Sequence, residues 1–272
     1  MIIYTRFNCL HHNIENRSAH ARSMGIERGD AGWYDVTKTK RRMMVRFDEN
    51  WLKERVRLFK MYCAPSVAAQ TTKDYRWIGI IDPETPKWFS AEIQSIAPQM
   101  EIRYAEMDTH VAERGGDPLS MNLDSDDAIA SEFVATANTF SERFSEAEFS
   151  FPRGFRYREL TDVVISSRTD NSHFNVVKSP RYCVLDFSHG MSHLFEVKEI
   201  IDLKRGMWLE IIHEGNISNR LGRTSSCKNL GVESLKDRFV IDYKTLEARE
   251  FDCYARSVNQ QHWIRGLEDR ID

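Results

Sequence analysis

Two hydrophobic patterns follow one another along the chain, and the change falls near residue 140. Before it, short apolar runs alternate with segments whose apolar residues recur at helical spacing. Residues 2–5 and 75–81 read as buried strands, because a parallel strand covered on both faces shows a continuous apolar run. Residues 101–106 and the run ending at Leu123 read the same way. Between them, Asp48-Glu49-Asn50 opens a helix with acidic residues in its first turn, and Trp51, Leu52, Val56, Leu58, Phe59 and Tyr62 form its apolar pattern. Pro65 is expected to stop this helix, with a short second one over 66–70. Residues 88–96 and 128–140 predict two more. Strands alternating with helices imply a mostly parallel sheet with crossover helices.

Beyond residue 140 the elements shorten. Residues 154–157, 163–166, 174–177 and 182–187 predict small strands between polar turns, which suggests antiparallel pieces added to the parallel half. Residues 197–203 read as helical. An apolar run over 207–212 ends at His213-Glu214-Gly215-Asn216. The last 50 or so residues are charged and predict a helical or loosely packed tail. The expected organisation is one region over 1–223, split at about 127 into two functional halves, with 224–272 as a C-terminal extension.

The pattern also places the chemistry. Residues 119–127 read Leu-Ser-Met-Asn-Leu-Asp-Ser-Asp-Asp, so a strand ends in Asp124, Asp126 and Asp127. Carboxylates this close repel one another, and a divalent cation would offset the cost; Mg²⁺ and Mn²⁺ both take oxygen ligands and share them with substrate phosphates. The alternative is a solvated turn that caps the following helix. Thr5, Asp82 and Asp124 all end predicted strands, which puts them on the sheet edge where ligands bind in such folds.

Composition narrows the partners. With 38 basic against 41 acidic residues there is no global basic excess to attract nucleic acid. The five cysteines are scattered, odd in number and never spaced as a zinc pair, which fits reduced thiols in the cytoplasm. No window has the roughly 20 apolar residues of a membrane span. The opening residues turn polar too soon for a signal peptide. The expected location is therefore cytoplasmic, including a peripheral position at the inner membrane face.

Four ordered segments carry a resemblance. They are Tyr4-Thr5-Arg6-Phe7-Asn8; the set Trp51-Leu52, Arg57-Leu58-Phe59, Ala64-Pro65-Ser66 and Gln70-Thr71; Leu123-Asp124-Ser125-Asp126-Asp127-Ala128; and Trp208 to Arg220. In order and spacing the chain resembles glycosyltransferases of the GT-A fold, a Rossmann-like α/β architecture, and more specifically the "putative rhamnosyltransferase" family. It departs at Asn122, where the family usually has arginine.

The resemblance implies transfer of a sugar from a nucleotide-diphosphate donor to a hydroxyl of a glycan or other acceptor. In such enzymes a D-x-D motif holds a metal that neutralises the leaving diphosphate. Asp126 would be the main ligand, Asp124 would hold the ribose or a metal-bound water, and Asp127 would support the metal or orient the loop. His213 would be a further ligand and would tilt the choice from Mg²⁺ towards Mn²⁺; judged alone, a histidine after a strand is more commonly a buried, hydrogen-bonded one. Thr5, Arg6 and Asp82 would line the nucleotide pocket, and Arg220 would reach the diphosphate.

An inverting reaction needs a general base. Asp186 is the first candidate, Glu196 at an expected helix start the second, and Asp170 the third. Trp208 and Tyr182 are candidates to stack on a sugar, with core packing as their default. Two other classes share the same features: nucleotidyl transfer or phosphoester hydrolysis on the same aspartates, and a non-catalytic module that binds the nucleotide sugar.

Overall fold

The computed structural model describes residues 1–9, 46–113, 115, 119–169, 174–186, 195–213 and 228–248. The chain opens with strand β1 (Ile2–Arg6), then helix α1 (Glu49–Leu58), a wide π-type turn (Phe59–Cys63) and α2 (Ala64–Ala68). Strand β2 (Arg76–Ile81), α3 (Lys87–Ile96) and β3 (Glu101–Tyr104) follow, then β4 (Leu119–Asn122) and β5 (Ala128–Ile129). After α4 (Phe133–Ser141) come β6 (Ala147–Ser150), β7 (Arg153–Arg158), β8 (Val163–Arg168), β9 (Val176–Lys178), β10 (Lys198–Ile200), β11 (Trp208–Ile212) and α5 (Tyr243–Ala248).

These strands form two sheets, of order β10-β6-β9-β4-β1-β2-β3 and β5-β11-β7-β8. The larger is mostly parallel: β9 alone opposes its neighbours β4 and β6. In the smaller, β11 runs parallel to β7, while β5 and β8 are antiparallel to their partners.

The period of two in the strands divides the core. Ile3, Trp77 and Met121 face a cluster that includes Leu52, Phe59, Phe89 and Phe133 from the helices. Ile2, Tyr4 and Ile78 face the other way, onto Val184 and Leu185. Helices therefore cover one face of the large sheet, and 3₁₀ turns over Asp108–Val111 and Val184–Asp186 lie toward the other. A third cluster joins Leu209, Ile211 and Tyr157 of the small sheet to Leu58 and Tyr62, and to Leu235, Phe239 and Leu246 near the C-terminal end of the described chain.

Helix α1 starts where the sequence predicts. The Asp48 carboxylate accepts from Trp51 N at 2.9 Å, Glu49 lies in the first turn, and Arg55 and Arg57 lie in the last. Pro65 does not end the helical run. It sits in the first turn of α2, straight after the π-type turn, and the backbone keeps its helical sense through the junction. A proline at 65 cannot donate to the carbonyl four residues back. That carbonyl, Met61 O, accepts from Asp242 N at 2.8 Å instead, so the C-terminal segment takes the place of the lost helical bond.

Three other expectations are corrected. Residues 128 and 129 pair with Leu209 and Trp208 as a strand, and the helix begins only at Phe133. The acidic turn therefore leads into a strand and is not a helix cap. Of the strand expected over 182–187, the described residues 182–186 form none; the 3₁₀ turn Val184–Asp186 stands there. Residues 197–203 are not a helix, because 198–200 pair in parallel with β6 as the edge strand β10. Both last errors fall on short stretches, where apolar periodicity cannot separate helix from strand.

Trp208 anchors the junction of the two sheets. Its indole donates to Phe151 O at 2.8 Å and stacks on Phe174 with ring centres 5.1 Å apart. Gly154, paired with Trp208 across β7 and β11, has no room for a side chain: a Cβ there would overlap the indole ring. Replacement of Gly154 by alanine is expected to destabilise the fold by about 1–3 kcal/mol through overpacking, read as a lower midpoint in urea with an unchanged slope.

Candidate active site

The acidic stretch is the bridge between the two sheets. Strand β4 ends at Asn122, Leu123 N still donates to Tyr4 O at 2.8 Å, and Ala128 begins β5 of the other sheet. The turn between them is closed by Asp127 N donating to Asp124 O at 3.1 Å. It is buried: Ser125, Asp126 and Asp127 are at most 7% exposed. Burying two carboxylates beside a third, partly open one is unfavourable unless each finds donors or opposite charge.

Each does. Asp127 Oδ1 accepts from Ile211 N at 2.9 Å, which locks the turn to β11. Asp126 is held from two sides, with Arg55 Nη1 3.1 Å from one carboxylate oxygen and His213 Nε2 2.9 Å from the other. Arg55 comes from the last turn of α1, with its guanidinium 5.0 Å from the centre of the Trp51 ring. His213 directly follows β11. Asp124 is the most open of the three, with Arg6 Nη2 at 3.5 Å and Asn122 Nδ2 donating to it at 3.1 Å. Arg6 also donates to the buried Asp108 at 3.0 Å.

Burial by itself would raise the pKa of Asp126, but Arg55 and His213 outweigh it and bring the carboxyl from 3.8 down to about 2. Burial and the neighbouring aspartates push the Cys63 thiol well above its usual range, so it stays protonated beside the cluster. Two buried atoms flanking Asp124, Asn122 Oδ1 and Ser125 Oγ, make no hydrogen bond among the described residues. Buried polar atoms of this kind point to a ligand or ordered solvent as their partner.

The residues fit a metal ion as a half-site. Among the described residues, no three Asp, Glu, His or Cys side chains converge to enclose an ion. Asp126 and His213 meet at 2.9 Å, an ordinary hydrogen-bond distance, and are the two residues that would hold an ion. An ion held this way takes its other ligands from water and substrate phosphate.

The remaining candidates divide. Thr5 is fully buried, and its hydroxyl accepts from the Trp77 indole at 2.9 Å. Asp82 is buried at the end of β2; one oxygen accepts from Glu84 N at 2.9 Å, and the other lies 3.6 Å from Arg46 without a hydrogen bond. Asp186 accepts from Cys183 N at 2.8 Å and closes its own 3₁₀ turn. Glu196 just precedes β10, which runs in the same direction as β4. It therefore lies at the opposite edge of the sheet from Asp124, and the expected helix start is absent. Trp208 is core. Tyr182 packs edge-on against Phe195 with ring centres 6.0 Å apart. Arg220 and Asp170 lie outside the described residues.

Sequence reasoning missed Arg55 and Asp108, and it gave Gln70, quoted within Gln70-Thr71, no role. Arg55 left a trace, since it sits one helical turn from both Trp51 and Phe59 and interrupts an apolar stripe. Gln70 donates to Ser66 O and Ala130 O and accepts from Val134 N, all at 2.9 Å, tying α2 to the start of α4. For Asp108 and Gln70, no local pattern announces the role.

An α/β fold with a carboxylate–histidine cluster beyond its strand ends accords with the class that the family comparison defines, the glycosyltransferases. The chain belongs to the family described as "Putative rhamnosyl transferase", whose model matches residues 28–224, a span that takes in Asp124, Asp126, Asp127 and His213. No curated protein matches it. Among solved structures, the crystal structure of S. aureus TarS aligns at 12% identity over 57% of this chain, with a TM-score of 0.36. The aligned part spans 34% of TarS.

The stabilising charge on Asp126 sets a pH dependence. Its carboxyl is depressed in the folded state, so its contribution is complete above the ordinary value near 3.8 and is lost as pH falls towards 2. That shift corresponds to about 2 kcal/mol. The stability gap between wild type and Asp126→Asn is therefore expected to narrow from pH 4 down to about 2, as measured by urea unfolding at each pH.

Proposed function

We propose that this protein transfers a sugar from a nucleotide-diphosphate donor to a hydroxyl of a glycan or related acceptor, on a catalytic region of the GT-A type. Residues 1–223 make that region, and 224–272 are an extension of it. The observation that carries the reading is the contact of Asp126 with His213, 87 positions apart in the chain and 2.9 Å apart in space. Arg55 covers one oxygen of that carboxylate, and the imidazole takes the other.

Asp126 and His213 are assigned as protein ligands of a divalent cation, Mn²⁺ or Mg²⁺, with the imidazole favouring Mn²⁺. When bound, such an ion neutralises charge on a leaving diphosphate. Asp124, the most open carboxylate, is assigned to the ribose or to a coordinated water. Asp127 orients the turn, consistent with its bond to Ile211 N. Arg6 sits beside Asp124 and helps balance charge there, and Asp82 lies at the neighbouring strand end where a base or ribose would be read. Thr5 supports this edge from within the core.

For the general base, Asp186 stays the first candidate, ahead of Glu196 and Asp170. No described helix is long and apolar enough to cross a membrane, and the proposed setting is the cytoplasm, including the inner membrane face.

Mn²⁺ together with a nucleoside diphosphate is expected to raise the melting temperature by about 5–10 °C at 100 times the dissociation constant. Asp126→Ala should abolish the rise. Incubation with a panel of nucleotide sugars should release nucleoside diphosphate. Release of pyrophosphate or nucleoside monophosphate would instead show nucleotidyl transfer or phosphoester hydrolysis, and binding without turnover under any acceptor would show a non-catalytic module.

A further inference from the structure

Arg55 stands where a cation at Asp126 would be felt most strongly. Its guanidinium contacts one oxygen of Asp126 at 3.1 Å while His213 contacts the other, so both oxygens already face a cation-capable group. The Arg55 and Asp126 side chains are only 12% and 10% exposed. At this depth, screening by water is weak, and a dication on Asp126 would strongly repel an arginine left in contact with it. A buried guanidinium that loses its carboxylate must find another anion. The anion that arrives at this site with the metal is a diphosphate, whose oxygens suit the arginine fork.

The anchoring of Arg55 permits such an exchange. Its backbone is fixed in α1, and its head lies over the Trp51 ring, which can hold the cation while it changes partner. Arg57, two residues on, is differently tied: it bridges Glu54 and Glu159, the latter also bonded by the Tyr62 hydroxyl at 2.6 Å. Arg57 is thus committed to the framework, while Arg55 is committed to the site.

We propose that Arg55 is an exchangeable counter-ion: it partners Asp126 when no metal is bound, and passes to a phosphate oxygen of the donor diphosphate when the metal takes Asp126. This rests on the assignment of Asp126 and His213 as metal ligands. Arg55 is then both a competitor of the free metal and a clamp on the metal–diphosphate.

The test compares wild type with Arg55→Met and Arg55→Lys in the full chain, using Mn²⁺ alone and then inorganic pyrophosphate at saturating Mn²⁺, by calorimetry and by the Mn²⁺ paramagnetic resonance signal. R55M is expected to bind Mn²⁺ alone about tenfold more tightly and pyrophosphate about tenfold more weakly. R55K, which keeps the charge, should follow wild type towards Mn²⁺ alone. If R55M is not folded by circular dichroism, Arg55→Gln serves the same comparison. Unchanged or weaker Mn²⁺ binding by R55M, or tightening by R55K as well, overturns the competition. Tighter Mn²⁺ without weaker pyrophosphate overturns the exchange. If wild type and R55M both fail to bind Mn²⁺, with and without pyrophosphate, the metal assignment falls and this inference with it.

Discussion

The structure depends on how three clustered carboxylates, two of them buried, are neutralised in one short turn. Asp124, Asp126 and Asp127 lie between the last residue of β4 and the first of β5, where the large sheet gives way to the small one. Their partners come from far along the chain: Arg6 from the first strand, Arg55 from the first described helix, Ile211 and His213 from the last strand and its end. The turn can be buried only if all of these elements are in place. The same contacts therefore join the two sheets and shape the site.

The apolar framework makes this affordable. Strand β1 divides its side chains between two clusters, one under the helices and one towards the 3₁₀ turns. Trp208 fills the junction between the sheets, with Gly154 yielding room for its ring and Phe174 stacked on it. Because the indole nitrogen is satisfied by Phe151 O, this large side chain adds packing without leaving a polar group exposed to the core. The C-terminal segment completes the third cluster through Leu235 and Phe239, and its Asp242 amide takes the carbonyl that Pro65 leaves unbonded. It is thus tied to the helical region next to the site and not merely laid over the surface.

Much of the larger sheet was legible. Residues 2–5, 75–81 and 101–106 announced β1, β2 and β3 to within two residues at each end, and Asp48 announced α1 through its capping chemistry. Long apolar runs and caps are local signals. Residues 182–187 and 197–203 were misread because a run of a few apolar residues fits either period, and strand β10 is decided by its parallel neighbour β6. The helix expected from Ala128 was misread for a related reason: residues 128 and 129 are claimed by β11, and the pairing overrides their helical propensity. Strand β6, with the buried Glu148 bonded to Asn175, was not anticipated at all.

The candidate site divides along the same line. That Asp124, Asp126 and Asp127 end a strand, and that His213 ends another, is written in residue order. The sequence alone determined which segments are apolar enough to be buried, where carboxylates interrupt them, and that the chain carries the pattern of a glycosyltransferase family. Only the tertiary structure decided that His213 and Arg55 share Asp126, that Thr5 turns into the core, and that Glu196 lies at the opposite edge of the sheet from Asp124. The reason is physical. Hydrophobic period and capping act over a few residues, whereas the partner of a buried charge is chosen by proximity in space among groups that the chain order keeps far apart.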